Sequence, residues 1–167
     1  MKVLIFSDTH HNFDEVDKMI NKYKPDRIYG LGDFGSSEIE LDIRGIIGVR
    51  GNDYYDSASL PYNYIDEIDG FKILFTHGHN YSVKYSLLRL KMFMVEQKID
   101  VCFYGHTHVA SIIEDNNLYF INPGSASLPS FPRFPTVILM DTSKNKLDIK
   151  IVDTETMDIF NSIIITK

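Results

Sequence analysis

The 167-residue chain has a single cysteine. No internal disulfide can form, and Cys102 lies inside an apolar run where a small buried thiol is the ordinary role. Long hydrophobic runs are also missing: no apolar stretch reaches the roughly 18 residues a spanning helix needs, which argues against a membrane partner. The chain opens on a strand-like segment where a basic, signal-like one would otherwise stand, so the expected compartment is the cytoplasm. No block of Lys or Arg occurs, and the formal net charge is −6. Nonspecific nucleic-acid binding rests on clustered cations, so a long nucleic acid is a poor partner, while a small anion held through metal ions is still allowed. Internal repeats, low-complexity tracts and any Ser-His or Cys-His arrangement that would mark a protein nucleophile are absent as well. What is present is ordinary for a globular protein, 44% hydrophobic and 24% charged residues. The length suits one domain, expected to span residues 1–167.

Apolar runs and turn signals lay out an α/β chain. Residues 2–7 are nearly all apolar, the pattern of a strand covered on both faces. Asn12 reads as a helix cap, with Phe13, Val16, Met19, Ile20 and Tyr23 at helical spacing until Pro25 stops the helix. Short strands are expected at 27–31 and 46–50, with one or two helical turns over 38–44 between them. Asp69-Gly70 marks a hairpin leading into a strand at 71–76. The longest helical candidate, 83–98, is broadly apolar, and its Met and Phe residues read as core. A strand over 99–104, a hairpin about Asp115-Asn116-Asn117, an irregular loop over 125–135 and three strands at 136–141, 147–152 and 159–166 complete the chain. Strand and helix alternate early and hairpins dominate late, so two sheets packed face to face with helices outside are expected. The apolar residues at 163–165 leave self-association into a homo-oligomer open.

The six histidines are distributed unevenly. They form three pairs, His10/His11, His77/His79 and His106/His108, and each pair follows an apolar run. Open α/β sheets gather ligands beyond the carboxyl ends of their strands, so clusters distant in sequence can converge. The same strand ends carry Asp8, Asp33 beside Gly32 and Asn52 beside Gly51. Asp8 and His10, like His106 and His108, are two residues apart and project the same way if the chain stays extended. An isolated His-x-His is more often a plain surface or core feature, Asn52 can merely shape a turn, and Asp33 can merely cap a segment. The company of Asp8, His10, Asp33, Asn52, His77, His106 and His108 is what points to metal. These nitrogen and oxygen donors exceed what one tetrahedral ion accepts and suit two ions sharing a carboxylate. With no thiolate among them, Mn²⁺, Zn²⁺, Fe²⁺, Co²⁺ and Ni²⁺ are all admissible.

Taken in order, Asp8-x-His10, Gly32-Asp33, Gly51-Asn52, His77 and Gly105-His106-x-His108 resemble the five-block signature of calcineurin-like metallophosphoesterases. Ser7-Asp8-Thr9-His10, Thr76-His77-Gly78-His79 and Asn122-Pro123-Gly124-Ser125 resemble the small prokaryotic phosphodiesterase branch in particular. The likeness spans residue 1 to about 141; each block alone is weak, and the five in order are specific. It implies a four-layer αββα sandwich of two mixed β-sheets. It also implies that Asp8, His10 and His108 bind one divalent ion, that Asn52, His77 and His106 bind another, and that Asp33 bridges them, with manganese preferred. The implied activity is hydrolysis of a small phosphate ester, a diester favoured, by hydroxide activated on two metals roughly 3.5–4 Å apart.

The likeness breaks after Asn52. A histidine, or cysteine followed by aspartate, commonly comes next in this family; here the run is Asp53-Tyr54-Tyr55-Asp56. A carboxylic acid near metals is ordinarily ionised, so Asp53 is a doubtful proton donor. As a catalytic candidate it would orient water or a histidine; otherwise it is structural. His11 stands where glycine is common and either faces substrate or caps the helix region. His79 is a second catalytic candidate, donating to a substrate oxygen or supporting a ligand from behind. Arg133 is a candidate clamp for a phosphate oxygen. Two other functions stay open: a phosphomonoesterase, and a non-catalytic metal-binding scaffold, because a retromer subunit of eukaryotic vesicle sorting resembles this family and serves mainly as an interaction module. The complete donor set favours the enzyme.

Overall fold

The apolar runs become strands. In chain order the computed structural model, which describes Met1–Lys167, has β1 (Lys2–Phe6), α1 (Asp14–Tyr23), β2 (Arg27–Gly30), α2 (Glu38–Ile43), β3 (Ile46–Gly48), β4 (Asn63–Ile68), β5 (Phe71–Thr76), α3 (Leu88–Gln97), β6 (Val101–Tyr104), β7 (Ser111–Asp115), β8 (Leu118–Asn122), β9 (Thr136–Ser143), β10 (Lys146–Asp153) and β11 (Ile159–Thr166). One sheet runs β11-β10-β9-β1-β2-β3, the other β4-β5-β6-β8-β7. Both are mixed: β1, β2 and β3 are mutually parallel, as are β5, β6 and β8, while hairpin-connected strands extend each sheet antiparallel.

Side-chain alternation along two central strands generates four layers. In β1, Val3 and Ile5 join a cluster with Ile73, Phe75, Val101 and Phe103 of the opposing sheet, while Leu4 and Phe6 pack with Val16 and Met19 of α1 and Leu41 of α2. In β6, Val101 and Phe103 enter the cluster between the sheets, and Cys102 and Tyr104 face Leu90 and Met94 of α3. A strand buried on both faces needs cover on both, and the period-2 alternation sends one set of side chains to each. The result is the αββα sandwich. No helix is long and apolar enough to cross a membrane.

Two details depart from the sequence expectation. The helix expected over 83–98 starts only at Leu88. Ser82 is left-handed at φ 57°, the N–H groups of Tyr85 and Ser86 donate back to its carbonyl, and Ser86 Oγ accepts the Leu88 N–H at 3.1 Å. That hydroxyl starts the helix, a local signal that the apolar run conceals. The apolar character of α3 is also not all core: Leu90 and Met94 are buried, whereas Leu88, Met92 and Val95 are 62%, 64% and 61% exposed. The cap position of α1 falls on Phe13 and not on Asn12, which stands one residue earlier and accepts the Asp14 N–H at 2.9 Å.

The two sheets are tied by aromatic contact close to the edge where the histidines gather. Tyr29 of β2 stacks on Phe75 of β5 at 3.9 Å between centroids and 9° between planes, and Phe75 stacks on Phe103 of β6 at 5.5 Å. The Tyr29 hydroxyl donates to Asp66 at 2.6 Å, which also pairs with Arg27 at 2.8 Å. Buried aromatic pairs add to area burial by about 0.5–1.5 kcal/mol. Phe75→Ala is expected to lower the unfolding free energy by about 3–5 kcal/mol in urea titration; a loss under about 1 kcal/mol would show that the stack does not hold the sheets.

Candidate metal centre

The seven donors follow five parallel strands. Asp8 and His10 come after β1, Asp33 after β2, Asn52 after β3, His77 after β5, and His106 and His108 after β6. Beyond its last paired residue β1 keeps reaching toward the end of β2: the N–H groups of Asp8, His10 and His11 donate to the carbonyls of Gly32, Asp33 and Phe34 at 3.1, 3.0 and 2.8 Å. The extended geometry expected for the two-residue spacings is not what forms. Asp8, His10, His106 and His108 have φ values of 56°, 42°, 68° and 57°, all left-handed. Non-glycine residues occupy that region at a cost of about 1–3 kcal/mol each, and such strain persists only where surrounding bonds hold it. The turn at His106 therefore belongs to the histidine. Gly105 serves a different need, because a Cβ there would collide with Ser7 Oγ.

These turns assemble two adjoining groups. Asp8, His10 and His108 form one and Asp33, His77 and His106 the other, with the donor atoms in each within 4.8 Å of one another. His10 Nε2 lies 3.3 Å from His108 Nε2, and His77 Nε2 lies 3.1 Å from both His106 Nδ1 and Asn52 Oδ1. One oxygen of Asp33 is occupied, Oδ1 accepting the N–H groups of Asn52 and Asp53 at 2.7 Å each. The other, Oδ2, faces both groups, 3.4 Å from His77 Nε2 and 4.0 Å from His10 Nε2.

The hydrogen bonds on the far side of each ring show what these atoms present to one another. Leu31 O, which can only accept, lies 2.6 Å from His77 Nδ1, so the hydrogen sits there and Nε2 offers a lone pair. By the same logic His108 Nδ1 donates to Leu128 O at 2.7 Å, leaving its Nε2 as a lone pair 3.2 Å from Asp8 Oδ1. Asp8 Oδ1 is buried and has no hydrogen-bond donor. With the rings neutral, acceptors face acceptors in a buried place, and either a metal cation or a proton on the inward nitrogen must stand between them. Nitrogen and carboxylate donors in groups of three, with a carboxylate oxygen shared between them, fit a pair of divalent ions.

Electrostatics mark the centre as a place for positive charge, borne by protons on His77 and His108 where no metal ion takes their place. Burial works to raise the Asp33 carboxyl, but hydrogen bonding and charge from His77 and the N–H groups of Asp53 and Asn52 outweigh it and hold it well below the usual carboxylate range. Burial, with His77 and Lys84 adding to it, pushes His106 down to about 4, so its imidazole is neutral near pH 7 and free to ligate. The His77 ring is lowered by burial and raised more strongly by Asp33 and Asp8, with a net upward shift.

A second ring of side chains holds the turns. Ser125 Oγ and Ser127 Oγ donate to Asp8 O at 2.7 and 3.1 Å, and Asn122 Nδ2 donates to Gly105 O at 2.9 Å. Asp56, to which sequence reading attached no role, is buried and accepts four N–H groups: Phe34 at 2.7 Å, Asp33 and Gly51 at 2.8 Å, and Gly35 at 3.1 Å. It thereby joins the Asp33 turn to the Asn52 turn. Burial pushes its carboxyl upward against those four donors. Nothing in the local sequence separates Asp56 from its exposed neighbours.

The remaining candidates fall in different places. Asp53 Oδ2 lies 3.4 Å from His10 Nδ1, and Oδ1 accepts the Tyr55 N–H at 3.0 Å. His79 has its ring 5.2 Å from that of His77 and 6.1 Å from that of His106, with Nδ1 buried and unpartnered. His11 is exposed, with its ring 5.1 Å from that of Tyr55. Arg133 is exposed in the 125–135 loop, and no hydrogen bond or ion pair ties it to the histidines.

An α/β sandwich with a candidate metal centre at the ends of its parallel strands defines a class, and comparison with known proteins gives it a family. The model of the calcineurin-like phosphoesterase superfamily domain matches residues 1–145. A phosphodiesterase of Methanocaldococcus jannaschii is 31% identical over 166 residues, covering 87% of this chain and 96% of its own. The structure resembles that of a predicted phosphoesterase from Streptococcus pneumoniae (TM-score 0.86, 24% identity, 99% of this chain and 97% of the other). It also resembles vacuolar protein sorting 29 from Cryptosporidium parvum (TM-score 0.81, 20% identity, 99% and 98%). The chain belongs to the calcineurin-like phosphoesterase superfamily.

The Asp56 interactions give a direct test. Asp56→Ala leaves three buried N–H groups and the half-buried one of Gly35 without this acceptor and is expected to cost at least about 3 kcal/mol of stability. Chemical denaturation in the presence of chelator reads this without a contribution from bound metal; a loss below about 1 kcal/mol would mean the two turns hold each other without Asp56.

Proposed function

We propose that the chain is a phosphodiesterase acting on a small ester through two divalent ions, one held by Asp8, His10 and His108, the other by Asn52, His77 and His106, with Asp33 between them. The two adjoining groups of imidazole nitrogens and carboxylate oxygens, with the His77 and His108 rings turned inward, are the observation that carries this reading. When bound, such an ion pair activates water near neutral pH and neutralises charge that builds on the phosphoryl oxygens. The rest belongs to the protein. Leu31 O and Leu128 O hold the His77 and His108 rings turned inward. Asp53 does the same for His10, accepting from its Nδ1 so that Nε2 faces the centre. In this proposal Asp53 is a positioning residue, and His79, whose ring lies 5.2 Å from that of His77, would contact a substrate oxygen.

A diester is favoured over a monoester for two reasons. The relative from Methanocaldococcus jannaschii is a phosphodiesterase. The surface beside the centre is acidic as well: a cleft of about 440 Å³ next to His11 is lined by Asp14, Asp17 and Glu40, and its one guanidinium, Arg44, is already paired with Asp17 at 2.8 Å. A singly charged diester meets less repulsion there than a doubly charged monoester.

With Mn²⁺ the protein is expected to hydrolyse bis(p-nitrophenyl) phosphate in preference to p-nitrophenyl phosphate, with chelator abolishing turnover. Asp33→Asn is expected to lower the rate at least a hundredfold, beyond the roughly 10–100-fold that supporting residues cost. Preference for the monoester would move the assignment to a phosphomonoesterase, and metal binding without turnover of either would move it to a scaffold. Asp53→Ala is expected to weaken Mn²⁺ binding about 10–100-fold by calorimetry; unchanged affinity would remove the positioning role.

A further inference from the structure

The residues that break the family likeness, His11 and the Asp53-Tyr54-Tyr55 run, meet in space. We infer that His11, Tyr54 and Tyr55 form an aromatic subsite that stacks against a planar, uncharged ring on the substrate, and so selects phosphodiesters bearing an aryl group or a nucleobase. This rests on the phosphodiesterase reading and narrows its substrate class.

Three observations carry it. Tyr54 and Tyr55 are 92% and 64% exposed although they adjoin a buried site, and their rings meet edge to face at 5.5 Å and 89°. That leaves ring faces open to solvent, where a planar partner can stack. Secondly, the pair is anchored to the metal centre: the Asp53 carboxylate reaches His10 Nδ1 with one oxygen and holds the Tyr55 N–H with the other. Tyr55 is therefore held beside His10, on the Nδ1 side of its ring. Thirdly, His11 occupies its place against its own backbone preference. Its φ is 71°, where glycine is at ease, and its ring lies against Gly35, in space that a Cβ would fill at 2.8 Å. The imidazole then packs at 69° to Tyr55 and walls the subsite from the acidic cleft beyond. Acidic side chains on that far side disfavour a second phosphate on the same substrate, so the ring is carried by an aryl or nucleoside group with no phosphate beyond the scissile diester.

The test holds the leaving group constant. Methyl p-nitrophenyl phosphate, bis(p-nitrophenyl) phosphate and thymidine 5′-p-nitrophenyl phosphate all release p-nitrophenolate and differ in the second ester group: no ring, an aryl ring, a nucleoside. In the wild type with Mn²⁺, KM for the ring-bearing diesters is expected to lie about tenfold or more below that for the methyl diester. Tyr54→Ala and Tyr55→Ala are expected to shrink that ratio about tenfold, and Tyr55→Phe to keep it. Loss for both ring-bearing substrates supports an aryl-accepting subsite, and loss confined to the thymidine ester supports a nucleobase subsite. A ratio near one in the wild type, or the same ratio in wild type and alanine variants, overturns the inference. If the wild type turns over none of the three, the phosphodiesterase reading fails, and the subsite is judged separately by calorimetry with phenyl phosphate against methyl phosphate on the Mn²⁺-loaded protein. A ring preference lost in Tyr55→Ala then sustains it, and equal affinities overturn it.

Discussion

Lone pairs pressed together at the ends of parallel strands are what the rest of the structure serves. Asp8 Oδ1 faces His108 Nε2 at 3.2 Å in one group and Asn52 Oδ1 faces His77 Nε2 at 3.1 Å in the other, and in the neutral rings each histidine's hydrogen is committed elsewhere. Without a cation such an arrangement is repulsive, and left free it would relax by turning a ring or an amide. It is held because the outward-facing nitrogen of each ring is bonded to a fixed backbone carbonyl. Neither carbonyl can exchange roles, since a carbonyl only accepts. A site arranged this way binds a divalent ion without first ordering its ligands, which is where affinity is usually lost.

Holding acceptors in opposition requires a frame stiff enough to resist them, and the frame is the contact between sheets. His77 follows β5 in one sheet, yet its Nδ1 is anchored on Leu31 O at the end of β2 in the other. The Tyr29–Phe75 stack lies on the same two strands, a few residues back along each. Each donor group draws on both sheets, so the distances within a group depend on aromatic packing in the core and not on the loops alone. The left-handed residues Asp8, His10, Asp33, His106 and His108 add strain locally, which the backbone ladder beyond β1 and the carboxylate of Asp56 offset.

Most of this architecture is legible in the sequence alone. The strands are where the apolar runs put them, because a strand buried on both faces leaves an unambiguous trace, and the histidine pairs stand at their carboxyl ends. What could not be read were conformations set by distant partners. The two-residue spacing of Asp8 and His10 suggests an extended chain, but their N–H groups bond Gly32 O and Asp33 O, and that contact forces the left-handed turn. Asp56 resembles any loop aspartate until four N–H groups from two separate turns are seen to converge on it. The start of α3 was hidden for a third reason: the apolar pattern runs through Val83–Leu87, and only the Ser86 hydroxyl marks where helical geometry begins.

The departures from the family pattern form a connected unit. If Asp53 stood alone, replacing the usual proton donor with a carboxylate would suggest a weakened enzyme. It does not stand alone, because the same side chain supports His10 and organises Tyr55, and Tyr55 meets His11, the other departure. Changes that drift into a redundant site have no reason to touch one another. Changes that trade proton donation for ligand support and a ring-binding surface do, since both tasks must be placed relative to the same ions. An enzyme acting on diesters with good leaving groups would have little need of a strong acid and much need of a way to hold the rest of the substrate, and the exposed tyrosines beside Asp53 are consistent with that division of tasks.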